Sequence, residues 1–193
     1  IPVKEQMVLD GTFPTVKSPN PENPEGFYLA VDLAKEVGSD LILGTDPDSD
    51  RVGVMVRGAD GEYHTITGNQ MGVLLLDYII TARRRKGTLP ENAAAISTIV
   101  TSKMVRRICD VNNIHFDETF TGFKFMAEKL AEYQRDGSYQ YVLAFEESYG
   151  YMMGDYVRDK DAVTACVMIT EMAAYYFEQG MTLAQALDAL YEK

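Results

Sequence analysis

Beyond Thr67 the chain settles into a repeating order, a strand-length apolar run followed by a helix-length amphipathic run, and this order restricts the fold more than any other feature. Met71 to Lys86 reads as a helix, with Arg83, Arg84, Arg85 and Lys86 in its last turn and Gly87 as its stop. Three strand and helix pairs follow: Ala94–Val100 with Ser102–Val111, Ile114–Thr119 with Thr121–Arg135, and Tyr141–Phe145 with Asp161–Phe177, the last pair joined by a longer loop. Strands separated by helices run parallel. The expected class is therefore α/β, a mixed and largely parallel sheet flanked by helices on both faces.

The residues before this alternation follow a different rule. Five of the seven prolines fall in the first 26 residues, three of them within Lys17–Gly26, where missing donors and restricted neighbours exclude a helix. A helix is expected over Glu25–Val37, stopped by Gly38, then a strand at Leu41–Leu43. Val52–Val56 and Tyr63–Ile66, joined through Asp60-Gly61, read as a hairpin. We place a boundary near Ile66. Residues 1–66 look like the C-terminal part of a partial α/β domain carrying an acidic loop, and 67–193 like a complete small α/β unit.

Twenty-nine acidic against 18 basic residues give a net charge of −11, which disfavours nucleic acid or an anionic membrane as partner. The longest apolar runs are broken by Asp77 and Glu171, short of the ~18 residues a spanning helix needs. Cys109 and Cys166 form no metal-type pair or disulfide framework, which suits a reducing, cytoplasmic setting. A phosphate ligand would have to be caught by local cations.

Chemistry is expected beyond the carboxyl ends of the strands, where loops and helix N-termini converge. Thr101-Ser102-Lys103, Thr119–Lys124 and Glu146-Glu147-Ser148-Tyr149-Gly150 all fall there. Hydroxyls, lysines and paired carboxylates suit a polyhydroxylated, phosphorylated ligand, although Ser102 and Thr121, each taken singly, read more readily as helix N-caps. The sharpest pattern is Asp46-Pro47-Asp48-Ser49-Asp50-Arg51. Three alternating carboxylates repel one another unless a cation binds, and oxygen-only ligation selects a hard ion such as Mg²⁺ or Ca²⁺. Extended, alternate residues would stand ~6.6 Å apart, so the segment must curl, and Gly44 and Pro47 are suited to shaping that curl. An EF-hand fails, because Arg51 stands where its glycine belongs and Arg57 where its bidentate glutamate belongs. An aspartyl-nucleophile phosphatase and a solvated acidic turn stay open on spacing alone. Arg158-Asp159-Lys160-Asp161 lies between the acidic turn and a long helix, within reach of the same crevice, whereas His64 and His115 read as structural.

In that order, Gly44–Arg51, Thr121-Gly122-Phe123-Lys124, Glu146–Gly150 and Arg158–Asp161 resemble the metal, sugar-orientation and sugar-recognition loops of the α-D-phosphohexomutases, the superfamily of phosphoglucomutase and phosphomannomutase. The resemblance implies a four-domain enzyme of which this chain is the end of domain II and the whole of domain III. It implies Mg²⁺ on Asp46, Asp48 and Asp50, and Arg51 stabilising the phosphoryl oxygens. Glu146 and Ser148 would contact sugar hydroxyls, while Thr121, Gly122 and Lys160 place the sugar or its phosphate. The reaction implied is exchange between hexose 1-phosphate and hexose 6-phosphate through a phosphoserine and a bisphosphorylated sugar, phosphoglucomutase being favoured over phosphomannomutase or phosphopentomutase. The family's Thr-x-Ser-His-Asn-Pro and Arg-x-Ser-Gly-Thr segments do not occur. A fragment inactive without the missing domains of its parent is therefore expected, with a stand-alone Mg²⁺ or phosphosugar-binding module as the alternative.

Overall fold

The computed structural model describes residues 1–193. Two sheets carry the chain: three antiparallel strands in the order β1-β2-β3, and four in the order β5-β4-β6-β7. The first sheet comprises β1 (Leu41–Thr45), β2 (Val52–Arg57) and β3 (Tyr63–Ile66), preceded by α1 (Tyr28–Val37). α1 starts three residues later than expected. Pro24–Phe27 form a single 3₁₀ turn, because the Gly26 amide bonds back only three residues, to Asn23.

The second sheet is built from β4 (Ala93–Thr98), β5 (His115–Thr119), β6 (Gln140–Glu146) and β7 (Gly150–Met152). β4 pairs in parallel with both β5 and β6. The surrounding helices are α2 (Gly68–Arg85), α3 (Met104–Asn112), α4 (Phe123–Asp136), α5 (Ala162–Glu178) and α6 (Leu183–Glu192). Alternation along the strands divides the faces. Ala93, Ala95, Leu143 and Phe145 join the core beneath α2, α3, α5 and α6, whereas Ala94, Ile96 and Ala144 pack against Phe123, Met126, Leu130 and Tyr133 of α4. This is the α/β class read from the sequence.

Other sequence expectations shift as well: α3 and α4 each begin two residues later than expected. β4 ends at Thr98 rather than Val100, because the Thr101 amide bonds the Thr98 carbonyl and turns Ile99 and Val100 outward. α2 begins at Gly68, three residues early, since Thr67 and Gln70 close a capping box. α6 was not anticipated, although Thr182 and Gln185 form the same box. The largest shift concerns the expected long loop after β6. Its first part folds back as β7, antiparallel to β6, so Glu147–Tyr149 form a hairpin turn at the sheet's edge.

One core of 31 buried residues runs from Val52, Val54, Val56 and Ile66 of the first sheet through α2, β4, β6, α5 and α6. Each fully buried Leu or Ile in it contributes about 1.5 to 3 kcal/mol. The two sheets are thus fastened by apolar contact as well as by the chain.

Candidate functional site

The acidic segment curls as its chemistry demands, and of the two residues expected to shape it Pro47 does so: it stands second in a turn that the Ser49 amide closes on the Asp46 carbonyl at 3.1 Å. Gly44 sits inside β1, opposite Gly53, and the absence of a side chain on both makes room for the Phe27 ring. The rest of the bend comes from Ser49, which adopts φ 55°. Asp46 organises the rest. One of its oxygens accepts from the Asp50 and Arg51 amides, both at 3.0 Å, and the other accepts from Arg51 Nε at 2.9 Å. Burial opposes ionisation of Asp46, yet the Arg51 donors outweigh it and hold the carboxyl below its ordinary range.

Asp46, Asp48 and Asp50 each offer a carboxylate oxygen within 4.8 Å of the others. Ligands across an octahedral Mg²⁺ stand ~4.2 Å apart, and across Ca²⁺ ~4.8 Å, so the set fits a hard divalent cation after at most a small closure. Burial and the neighbouring Asp46 push Asp50 above its ordinary range despite Lys160, a repulsion that a cation would relieve. Arg51 lies beside this group with its Nε on Asp46 and Nη1 3.3 Å from Glu22. None of these contacts uses its Nη2. Glu22 belongs to the proline-rich segment, whose part in the site the sequence reading missed.

The hairpin turn reaches the acidic loop from the second sheet. The Tyr149 carbonyl accepts from the Val52 amide at 3.2 Å, Arg51 and Gly150 form an isolated β-bridge, and the Ser49 carbonyl accepts from the Ala162 amide at 3.0 Å. Tyr149 sits at φ 68°, a conformation costing a bulky residue about 1 to 3 kcal/mol. A bare Gly150 lets the Lys160 stem lie across the backbone, where any Cβ would collide with it. The Lys160 ammonium then stands 3.0 Å from Asp50 and 3.1 Å from Asp159, over the ring of Phe123.

Glu146, at the end of β6, is 9% exposed. Burial raises its carboxyl above the ordinary range; Glu147 and Asp159 add to this, against the pull of Lys160 and the Gly122 backbone N–H. Gly122, rather than Thr121, occupies the N-cap of α4, so Thr121 stays exposed and caps nothing. Ser148 is half-buried on the turn itself. Asp50 and Lys160 are thus in direct contact, Glu146 lies close enough to feel Lys160 and Gly122, and Ser148 and Thr121 sit on the loops beside them. His64 pairs with exposed Asp60, and His115 stacks on Tyr139 at the start of β5, the far edge of the sheet.

The fold is that of a two-sheet α/β protein with an acidic loop at the junction of the sheets, and the chain belongs to the phosphoglucomutase/phosphomannomutase family: residues 67–193 match its α/β/α domain III and residues 1–61 its α/β/α domain II. Phosphoglucomutase of Staphylococcus aureus strain USA300 is 37% identical over 190 residues, covering 98% of this chain and 33% of the relative. This chain thus spans about a third of the length of the curated relatives it matches. Among solved structures, a phosphoglucomutase/phosphomannomutase family protein from Burkholderia thailandensis superposes with TM-score 0.70 at 19% identity, over 94% of this chain and 35% of that one. N-acetylphosphoglucosamine mutase from Aspergillus fumigatus, in complex with GlcNAc-6P and magnesium, gives 0.59 at 13% identity, over 82% and 36%. At those identities the likeness is one of fold.

Proposed function

We propose that these residues are the metal- and hydroxyl-binding portion of a longer hexose phosphate mutase, most simply a phosphoglucomutase, with the division between its family domains near Ile66. Asp46, Asp48 and Asp50 hold Mg²⁺, which supplies positive charge to a phosphoryl group during transfer. Arg51, oriented by Asp46 and Glu22, binds the phosphoryl oxygens through its free guanidinium edge. Glu146 accepts from a sugar hydroxyl, Ser148 exchanges hydrogen bonds with a second, and Lys160 with the Thr121-Gly122 loop places the sugar or its second phosphate. The phosphoryl-carrying serine is supplied by another domain of the parent.

The observation that carries this reading is the junction itself. An acidic cation-fitting loop on one sheet is bonded through its backbone to a carboxylate- and hydroxyl-bearing turn on another, with a lysine spanning both. The Aspergillus mutase, bound to a phosphosugar and magnesium, supports the same ligand classes. The test is phosphoryl exchange on glucose 1-phosphate by the intact parent and by the isolated 193 residues. Activity in the parent that Asp48→Asn lowers at least 100-fold, with none in the isolated chain, is expected. Turnover by the isolated chain overturns the reading.

A further inference from the structure

Glu147 lies between the two residues proposed to meet the sugar, and its side chain does something different from theirs. Its Oε2 accepts from Thr98 Oγ1 at 2.9 Å and from Thr101 Oγ1 at 3.2 Å. Both threonines are buried, at 1% and 5% exposure, and they sit where β4 ends and the chain turns toward α3. They also contact each other at 2.8 Å, and the Thr98 amide donates to Thr101 Oγ1. A buried hydroxyl without a partner is costly, so the two threonines hold the carboxylate at a fixed point on the sheet edge.

The backbone beside Glu147 is held as closely. Gly68, first residue of α2, abuts the Glu147 carbonyl and the Tyr149 amide so tightly that any Cβ there would collide. Asn69 accepts from the Ser102 amide at 2.8 Å, which draws the α2 N-terminus, the β4–α3 loop and the hairpin turn into one frame. Tyr149 keeps its unfavourable φ of 68° within this frame, its carbonyl on Val52 of the acidic-loop sheet. Residues 146–149 have no regular ladder of their own to fix them; only at Glu146 does β6 still pair, with Gly150.

From this geometry we propose that Glu147 is a positioning residue: its carboxylate, clamped by the Thr98 and Thr101 hydroxyls, sets the turn so that Glu146 and Ser148 present their oxygens to the hydroxyls of the phosphosugar. Glu147 does not touch the substrate. The proposal rests on the reading of Glu146 and Ser148 as hydroxyl contacts, and it identifies the end of β4 as part of the specificity apparatus. A misplacement of about 1 Å in a binding group is enough for roughly a 100-fold loss.

The test uses Glu147→Ala, Glu147→Gln and Thr98→Val in the intact enzyme proposed above, with Mn²⁺ affinity and thermal midpoint measured alongside. Glu147→Ala and Thr98→Val are expected to raise KM for hexose phosphate roughly 10- to 100-fold, with kcat within about 3-fold and Mn²⁺ affinity unchanged. Glu147→Gln keeps an acceptor oxygen for both threonines and is expected to stay within about 3-fold of the wild type. The proposal is overturned by an unchanged KM in folded Glu147→Ala, by parallel loss of Mn²⁺ binding and folding, or by a Gln variant as poor as the Ala variant.

A second measurement separates this claim from the one beneath it. In the 193-residue chain, Glu147→Ala is expected to shift the amide resonances of Glu146, Ser148 and Val52 while leaving those of Asp48 and Ser49 in place. Absence of those shifts overturns the positioning role whatever the activity. If the wild-type intact enzyme turns over no hexose phosphate, the functional reading fails while the amide shifts still decide the positioning role.

Discussion

The acidic loop and the hairpin turn meet at one junction, yet they are built on opposite plans. Asp46 to Arg51 is largely self-organised: one carboxylate gathers two amides and a guanidinium from within five residues, and Pro47 and Ser49 supply the bend. Glu146 to Gly150 is organised from outside, by Thr98 and Thr101, by Gly68, by Val52 and by the Lys160 stem. A chain can encode the first kind of site in a six-residue word. The second kind exists only when four elements have already met.

That contrast predicts which perturbations spread. The largest effect is expected from Asp46→Ala, which leaves two amides and Arg51 Nε unpaired. It should destabilise the chain by about 2 to 3 kcal/mol and abolish Mn²⁺ binding, read by urea denaturation and paramagnetic relaxation. A Mn²⁺ affinity within 3-fold of wild type, roughly 0.7 kcal/mol, would break the claim of self-organisation. Gly150→Val comes next, because its side chain enters the space of the Lys160 stem and costs about 1 to 3 kcal/mol. Mn²⁺ binding should survive it, while the Val52 amide, bonded to Tyr149, exchanges with solvent faster.

A smaller effect is expected from Lys160→Met. It removes a cation 3.0 Å from Asp50, so Mn²⁺ should bind several-fold tighter at low salt, a gain of roughly 1 kcal/mol that salt diminishes. Weaker Mn²⁺ binding would show that the lysine supports the loop rather than competing with the ion. The smallest effect concerns pH. Burial raises the folded-state pKa of Glu146 above the ordinary 4.5, so the folded chain takes up this proton before the unfolded chain does. Stability from this group should therefore rise as pH falls from its raised pKa toward 4.5 and be lost again as pH rises. Glu146→Gln should flatten that slope in thermal denaturation followed across pH.

The same division explains how much could be read in advance. The parallel strands and the helices were legible because periodicity and stop residues such as Gly38 and Gly87 are local signals. β7 was not legible: three residues, Gly150 to Met152, carry too little pattern, and their pairing is decided by β6 and the bridge to Arg51. Thr121 looked like a cap but left that place to Gly122, and Gly44 looked like a hinge but serves to seat Phe27. Glu22 was hidden for a further reason. It lies 29 residues from Arg51, within a proline-rich segment whose composition suggests only a connection.

By itself the sequence determined the α/β class, the acidic loop and the hardness of the cation that loop fits, because periodic burial and carboxylate spacing act over a few residues. Tertiary structure decided where Glu147 is clamped, how Tyr149 is held in a costly conformation and which cation meets Asp50. Those arrangements depend on the register between two sheets. Polar contacts between residues 46 to 110 positions apart carry no mark in the chain until packing brings their atoms within 3.2 Å.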